Sequence, residues 1–430
     1  MTIEKEVFLK KIFLLMAYSI VTLMRFPHIV LNGGRLWAEE GVVYFQNALK
    51  NPWYQDWFAT NTIQYIHFSA GFFSWVSLLV GGVQYAPLLT VFFSLLLQLI
   101  TPIILVTHRF PWQNKTIPSF IVILLCAMPP LTGEVWLNTL QSQMHLAVAA
   151  SLILSADAAK GFLSVFDLCV LILAGLSGPS TIFLLPLFLI RTYFDRSIVR
   201  KLQTSIVFLC FSVQLLTYLT HHSSGRHFSL TPFKITLIMA LHTIILPIGG
   251  VNLADHLGRL IANPNNEHIL VAIFVFFLLA VFYSFIIGIS FKWKDSTLRY
   301  MALSSLLIGF ASFFGAWKSS YLDLLSSGFS TRYAFTSELL NTLILFYIIV
   351  VYYNMKKKKV ILSVMILIIM VDFSNFRADS NMFDSGPKWK QEISIWSKNP
   401  NYSVKIWPKG WAIKIPKKYA LDGPDSGNLR

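Results

Sequence analysis

The sequence predicts an all-α polytopic membrane protein with about eleven transmembrane helices, and its composition carries this prediction. The 430 residues are 55% hydrophobic, their mean hydropathy is +0.61, and only 13% of them are charged. A soluble globular chain carries about 25% charged residues, so this chain has too little polar surface for soluble domains. Uncharged runs such as 269–291 and 86–106 can cross a hydrocarbon layer about 30 Å thick.

The predicted spans follow the apolar runs along the chain. Two further stretches, 63–82 and 235–250, are apolar but interrupted by polar residues or glycine, and we expect them to lie along the interface or to re-enter the membrane. Pro129-Pro130 and Gly178-Pro179 fall where helices are expected to break. The predicted spans are residues 12–31, 84–106, 116–131, 144–158, 162–175, 179–194, 202–219, 268–291, 300–317, 338–355 and 360–374.

The basic residues predict which side of the membrane each loop faces, because Lys and Arg concentrate in short cytoplasmic loops. With the N-terminus in the cytoplasm, the cytoplasmic segments hold about half of the 35 Lys and Arg residues, and acidic residues, Glu338 among them, collect on the opposite side. We therefore expect a transmembrane domain over residues 1–376, with an outer first loop at 32–83, and an outer C-terminal domain over 377–430. The net charge of +15 is explained by this distribution, so we expect no nucleic-acid partner.

The C-terminal segment is polar where the preceding chain is apolar. Residues 403–415 alternate apolar and basic positions around Pro408-Lys409-Gly410, a pattern that predicts a β-hairpin. Four lysines at 356–359 precede the last predicted span and place this tail on the outer side. We expect a small α+β domain there.

Two adjacent carboxylates, Glu39 and Glu40, follow the first span by a few residues. Neighbouring residues of a helix point about 100° apart, so both cannot face one substrate atom. One can act as a general base toward an acceptor hydroxyl, while the other braces an arginine or binds a hydroxyl. The alternative is a solvated helix start, where the helix dipole favours carboxylates.

A second polar group lies between two predicted spans on the same side. On a helix, Glu134, Asn138 and Gln141 would share one face, as would Asn138, Gln141 and His145. Such a face suits hydrogen bonding to sugar hydroxyls. An interfacial loop with ordinary polar residues is the alternative.

Arginine supplies the third candidate. Arg332, followed by Tyr333, can hold a phosphate through two parallel hydrogen bonds, although a snorkelling arginine beside an aromatic anchor is as common. Arg25, near the outer end of the first span, is expected to snorkel. His221, His222 and His227 lack a carboxylate at ligand spacing, so we expect loop histidines and no metal site.

Together these residues resemble the GT-C class of membrane glycosyltransferases, which have many spans, an acidic motif in the first outer loop and interfacial helices after it. Residues 37–41, Trp-Ala-Glu-Glu-Gly, are similar to a Trp-Ala-Glu-Asp/Glu-Gly pattern in a bacterial branch of the class. Gln64 to His67, Glu134 to Trp136, and Arg332-Tyr333 follow in the order of that branch. Length and layout are similar to the serotype-converting O-antigen glucosyltransferases (Gtr type) of Gram-negative bacteria and their phages.

The resemblance implies a reaction. A single sugar, with glucose expected, would pass with inversion from undecaprenyl phosphate to a periplasmic glycan such as the O-antigen of lipopolysaccharide. The protein would lie in the bacterial inner membrane, beside a synthase and a flippase for the donor. No cofactor is required, and a divalent metal is allowed but not indicated, because arginine can stabilise the departing phosphate.

The resemblance also assigns roles to residues of this sequence. Glu39 or Glu40 would be the base, and this pair of glutamates departs from the mixed Asp and Glu pair of related enzymes. Arg332 and Arg35 would hold the donor phosphate. The residues expected to line the sugar and acceptor site are Trp37, Tyr65, His67, Glu134, Asn138, Gln141 and Tyr333.

Two other functions fit a polytopic chain with outer loops. A lipid-linked glycan flippase or another transporter usually has internal repeats and ionisable residues deep in its spans, which this sequence lacks. An O-antigen polymerase would be expected to carry Arg-rich loops in mid-chain. In this sequence the first loop and the tail are instead the prominent outer segments.

The predicted orientation can be tested with reporter fusions at Asn354 and Lys390. We expect cytoplasmic activity for the first fusion and outer activity for the second. A cytoplasmic signal at Lys390 would contradict the outer tail.

Overall fold

The computed structural model describes residues 3–58, 65–108, 110–129, 132–220, 230–263, 266–316, 320–352, 358–377 and 386–420. The chain is 78% helical, and seven helical segments are long and apolar enough to cross a membrane. Four shorter apolar helices of 10–17 residues accompany them. The chain is therefore a multi-pass, largely helical membrane protein, as its composition predicts, whereas the count of eleven spans and the GT-C class stay predictions.

Nine helices form the N-terminal part of the bundle. One π-helical turn, Glu40–Phe45, and one 3-10 turn, Gly133–Val135, lie between them. The helices are α1 Ile3–Arg25, α2 Pro27–Leu31, α3 Gln46–Lys50, α4 Trp53–Trp57, α5 Phe68–Gln98, α6 Ile100–Thr107, α7 Thr116–Ala127, α8 Ser142–Ser155 and α9 Phe162–Leu176.

In the described part of the remaining chain, ten helices and one hairpin follow. A π-helical turn, Leu241–Ile245, joins α12 to α13, and 3-10 turns cover Ile182–Leu184 and Lys417–Ala420. The helices are α10 Leu185–Phe194, α11 Ile198–Thr220, α12 Pro232–Ala240, α13 Leu246–Ala262, α14 Asn266–Lys292, α15 Ser296–Phe314, α16 Tyr321–Leu325, α17 Ser327–Val351, α18 Lys358–Ser374 and α19 Trp389–Lys398.

Glycine breaks two of the long apolar segments. Gly82 within α5 and Gly250 within α13 have φ of 54° and 76°, a left-handed conformation that other residues rarely adopt. The stretches predicted to lie along the interface or to re-enter, 63–82 and 235–250, end at these two breaks. The breaks explain why the two stretches are interrupted in the sequence. The placement of the two stretches relative to the membrane stays a prediction.

Helix α8 lies at the centre of the bundle. All of its residues are buried, because α5, α6, α9, α15 and α17 surround it. A helix that is covered on every side shows no amphipathic stripe. The predicted break at Gly178-Pro179 is confirmed, since α9 ends at Leu176 and the next turn begins at Ile182.

The tail packs onto the first loop. The predicted hairpin is confirmed: β1 Val404–Ile406 pairs antiparallel with β2 Trp411–Ile413, and Val404 lies opposite Ile413. Side chains of the tail and of the first loop share one hydrophobic core, whose members include Leu36, Phe45, Leu49, Trp389, Trp396, Val404, Ile406 and Ile413.

Two expectations about ionisable residues are wrong. Arg25 does not snorkel: it is 1% exposed and donates to the carbonyls of Ala127 and Pro129 at 3.2 and 2.9 Å. Glu338 is not a surface acid, because it lies about three turns into α17 and is 2% exposed. Asp372 is buried in the same region, and both acids interact electrostatically with Arg25. The described helices therefore contain buried ionisable residues that hydropathy did not predict.

Several predicted features fall outside the described residues. These are Pro130 at one predicted break, Gln64, the histidines at 221, 222 and 227, and the lysines at 356 and 357.

The docking of the first loop on α5 depends on Gly34. Gly34 has φ of +90°, and a Cβ there would lie 2.2 Å from the backbone carbonyl carbon of Pro87. We expect Gly34→Ala to lower the free energy of unfolding by roughly 1–3 kcal/mol more than Gly161→Ala does. Gly161 is the matched control, since it has φ of +59° and no neighbour within 4 Å of such a Cβ. Thermal midpoints of the two purified variants in detergent provide the comparison, and equal midpoints would contradict the steric argument.

Candidate functional site

Five helix ends meet at one end of the bundle, which we call the loop end because it carries the first loop and the tail. Helices α1 and α9 end there, and α5, α8 and α17 begin there. The residues that the sequence marked lie on the segments next to these ends. The positive ends of three helix dipoles therefore face the same region.

Glu40 is buried and fully hydrogen-bonded. It is 1% exposed, and one carboxylate oxygen accepts from the backbone N–H of Trp37 at 3.0 Å. The other oxygen accepts from the backbone N–H of Thr139 at 2.8 Å and from the Thr139 hydroxyl. Burial raises the pKa of Glu40, while the bonds from Thr139 and Trp37 and the charge of Arg35 oppose that rise. Glu40 thus joins the first loop to the segment before α8.

Arg35 makes a second bridge between the same two segments. Its guanidinium is 1% exposed, donates to the carbonyl of Trp136 at 2.6 Å and lies 5.0 Å from the ring centroid of Trp37. Burial lowers the pKa of Arg35 to about 10, and the charges of Glu40 and Glu134 oppose that fall. The structure places Arg35 and Trp37 inside the loop packing, with almost no surface to offer a ligand.

Glu39 has a different environment from its neighbour. It is half-buried at the start of the π-helical turn, and no hydrogen bond joins its carboxylate to the residues that the structure describes. It interacts electrostatically with Tyr65, which also interacts with Arg332 and Tyr333. Of the two adjacent glutamates, Glu39 is therefore the one whose carboxylate is available.

Arg332 lies at the start of α17 and faces the same cluster. One guanidinium nitrogen donates to Glu134 at 2.8 Å and another donates to the Tyr333 hydroxyl at 3.0 Å. The Arg332 and Glu134 side chains are about one-third exposed, at 33% and 30%. The two bonds fix the plane of the guanidinium and leave part of it open to solvent.

A buried glutamine fixes the backbone of Ile66, the residue between Tyr65 and His67. Gln214 of α11 accepts from the Ile66 N–H at 2.9 Å and donates to the Ile66 carbonyl at 3.0 Å. Burial raises the pKa of the Tyr65 hydroxyl, which a hydrogen bond with Gln143 opposes. His67 is fully buried, and burial lowers its pKa to about 4, so its imidazole is neutral at pH 7.

The helical face predicted for Glu134, Asn138 and Gln141 is wrong. Residues 133–135 form one 3-10 turn, Leu137 has φ of +54°, and α8 begins only at Ser142. The Asn138 side-chain oxygen accepts from the N–H groups of Leu140 and Gln141 at 2.8 and 3.3 Å. Asn138 thus stabilises the loop before α8, and of the three residues only Glu134 contacts Arg332.

Sequence reasoning missed three residues of this region. Gln143 faces Tyr65, and it packs so closely on Gly178 that a Cβ there would lie 2.0 Å from its side-chain oxygen. Thr139 holds Glu40, and Gln214 holds Ile66. Gln143 and Thr139 stand in the polar run 138–145, but an assumed helical period selected other positions. Nothing in the sequence of α11 indicated that Gln214 reaches the first loop.

Within the described ranges, no group of three or more His, Cys, Asp or Glu residues could hold a metal ion. Comparisons of the chain with protein-family models, with curated proteins and with solved structures give no match. The assignment of a function therefore rests on the residues of the site and on the motifs of the sequence.

The different environments of Glu39 and Glu40 predict different effects on stability. Glu40→Ala is expected to lower the free energy of unfolding by roughly 2–5 kcal/mol, because each buried donor left without an acceptor costs about 1–3 kcal/mol. Glu39→Ala should stay within about 0.5 kcal/mol of the wild type. Thermal unfolding in detergent checks both variants, and similar midpoints for the two would contradict the assigned bonding of Glu40.

Proposed function

We propose that the chain is an inverting GT-C glycosyltransferase that moves one sugar, with glucose expected, from undecaprenyl phosphate to a periplasmic glycan such as the O-antigen of lipopolysaccharide. One observation carries the proposal: at the loop end of the bundle, the Arg332 guanidinium is oriented by Glu134 and Tyr333 yet stays one-third exposed, and the half-buried Glu39 at the same end has a carboxylate that no described residue bonds. These are the two charges that the reaction needs, a base for the acceptor and a cation for the leaving phosphate.

In the proposed step, the Glu39 carboxylate takes the proton of the acceptor hydroxyl. The hydroxyl oxygen forms a bond to the anomeric carbon of the donor from the face opposite the phosphate. The bond between the anomeric carbon and the phosphate oxygen breaks, and its electron pair leaves with undecaprenyl phosphate. The configuration at the anomeric carbon is inverted, and Glu39 later releases its proton to water.

Arg332 would stabilise the leaving phosphate. Its guanidinium is already oriented by Glu134 and Tyr333, so little rearrangement is needed when negative charge develops. Arg332 lies in the first turn of the candidate span Thr331–Val351, and we infer that this end of the span lies at the level of the lipid phosphates.

Glu40 and Arg35 take different roles from those that the resemblance implied for them. Both are buried and bonded to the segment 136–139, so we assign them to holding the first loop and not to donor binding. Tyr333 is bonded to Arg332, and Tyr65 interacts with Gln143, Glu39 and Arg332, so Tyr65, Gln143 and Tyr333 are our candidates for contacts with the sugar.

The physical setting of such a reaction fits a polytopic chain. A sugar on a polyprenyl phosphate reaches the enzyme from within the membrane, so the base and the arginine have to lie where the helices end. We place the loop end at the periplasmic face of the bacterial inner membrane, on the distribution of basic residues. A synthase that makes the donor and a flippase that moves it outward are the implied partners, and no cofactor is assigned.

A lipid-linked glycan flippase is the second candidate, and one observation favours it. Arg25, Glu338 and Asp372 are buried ionisable residues that interact electrostatically within the helical bundle, a feature typical of transporters. A transporter would move the labelled lipid-linked sugar across vesicles without forming a new glycosidic bond. Mass analysis of the glycan in cells with and without the gene separates the two, because only a transferase adds a hexose to each acceptor unit.

The role of Glu39 can be tested by an isosteric change. Glu39→Gln is expected to lower kcat for sugar transfer by roughly 10²–10⁴-fold, since the amide cannot accept the proton. Glu6→Gln, an exposed glutamate of α1, is the matched control and should keep wild-type activity. Wild-type transfer by Glu39→Gln would exclude Glu39 as the base.

The role of Arg332 predicts an effect on the donor. Arg332→Ala should raise the KM for the lipid-phosphate sugar by roughly 10- to 100-fold, the equivalent of about 1.5–3 kcal/mol for a hydrogen bond to a charged group. Arg196→Ala removes an exposed arginine elsewhere and is the control. Steady-state kinetics with purified protein measure kcat and the donor KM, and wild-type values of both in Arg332→Ala would remove Arg332 from the site.

A further inference from the structure

The backbone next to Glu39 has an unusual conformation. Ala38 has φ of +40°, in the left-handed region that residues with a side chain rarely adopt. Such a conformation persists only where the surrounding structure holds it, and it is most often found at functional sites. The turn at Ala38 sets the direction in which the next residue, Glu39, leaves the loop.

A segment of the tail holds this turn. The backbone N–H of Trp407 donates to the carbonyl of Leu36 at 3.1 Å, and the N–H of Ala38 donates to the carbonyl of Trp407. Residues 37 and 407 thus pair as in a parallel β-bridge, although they lie at opposite ends of the chain. The two bonds flank Trp37 and reach the residue directly before Glu39.

Trp407 is itself fixed on the tail by its side chain. Its indole N–H donates to the carbonyl of Pro387 at 2.9 Å, and its ring lies so close to Gly386 that a Cβ there would approach it to 2.2 Å. The neighbouring Ile406 fills the space over Gly41, where a Cβ would meet its side chain at 2.3 Å. The hairpin therefore contacts the first loop on both sides of the glutamate pair.

From these contacts we propose that Trp407 is a positioning residue for Glu39. Its pairing with Leu36 and Ala38 sets the turn that directs the Glu39 carboxylate toward Tyr65 and Arg332. The consequence for catalysis rests on the proposed function, in which Glu39 is the base. The geometric part is independent of any activity.

The geometric part is tested by thiol labelling. Glu39→Cys in a Cys169→Ser background offers one reactive thiol, at a half-buried position, since Cys126 and Cys210 are buried. Adding Trp407→Ala should make its reaction with a membrane-impermeant maleimide several-fold faster, because the indole that anchors residue 407 on Pro387 and Gly386 is lost and the backbone pairing of residue 407 with the turn is weakened. Trp407→Phe keeps a ring against Gly386 and should restore most of the slow rate. Lys409→Ala, at an exposed position of the same hairpin, is the control and should leave the rate unchanged.

The catalytic part is tested by kinetics. Trp407→Ala should lower kcat by roughly 10- to 100-fold with little change in donor KM, because a small displacement of the base is costly while Arg332 is untouched. In a Glu39→Gln background, Trp407→Ala should cause no further loss, since a positioning residue acts only through the group it positions. If Trp407 contributed only to folding, Trp407→Ala would instead lower the activity of the Glu39→Gln variant further.

The results distinguish the two proposals. Unchanged labelling together with unchanged kcat in Trp407→Ala would overturn the positioning role, whatever the activity of Glu39→Gln. Full activity of Glu39→Gln with faster labelling in Trp407→Ala would overturn the proposed base and leave the positioning of the turn supported. If Trp407→Ala does not accumulate in the membrane, Ala38→Gly replaces it: glycine adopts the same turn but also leaves it freely, so labelling should again be faster.

Discussion

The loop end of this protein depends on one buried carboxylate. A charged group removed from water is costly unless hydrogen bonds compensate it, and Glu40 receives three, from the Trp37 N–H and from the N–H and hydroxyl of Thr139. These bonds join the first loop to the segment before α8. Arg35 adds a second connection through the carbonyl of Trp136. The first loop and the segment before α8 are thus fixed relative to each other at the end of the bundle where α5, α8 and α17 begin.

Glu39 and Glu40 are adjacent residues of the same type, but their surroundings differ. Glu40 points into the packing and uses its oxygens internally, whereas Glu39 stays half-buried with its carboxylate available. Environment, and not residue type, decides which carboxylate can take part in chemistry. In the proposed reaction the short acidic motif would serve both structure and chemistry, because Glu40 fixes the loop from which Glu39 extends.

The sequence predicted the features that depend on local pattern. Long apolar runs indicated a multi-pass helical protein, and alternation around residues 408–410 indicated the hairpin. Features that depend on distant partners were not predictable. Nothing local distinguishes a snorkelling arginine from Arg25, which reaches carbonyls more than 100 residues away. The helical face assumed for Glu134, Asn138 and Gln141 failed because Leu137 leaves the helical conformation, which no residue type there requires.

The shared core of the tail and the first loop has a consequence for biosynthesis. The Trp389 indole donates to the carbonyl of Val83, a residue made 306 positions earlier. The ribosome therefore finishes the first loop long before the hairpin that packs on it exists. During that interval the early helices can insert, but the loop lacks its covering strand. The arrangement around the acidic motif is completed only when the tail has been translated and has reached the same side of the membrane, so an interrupted chain would be inserted yet incompletely assembled.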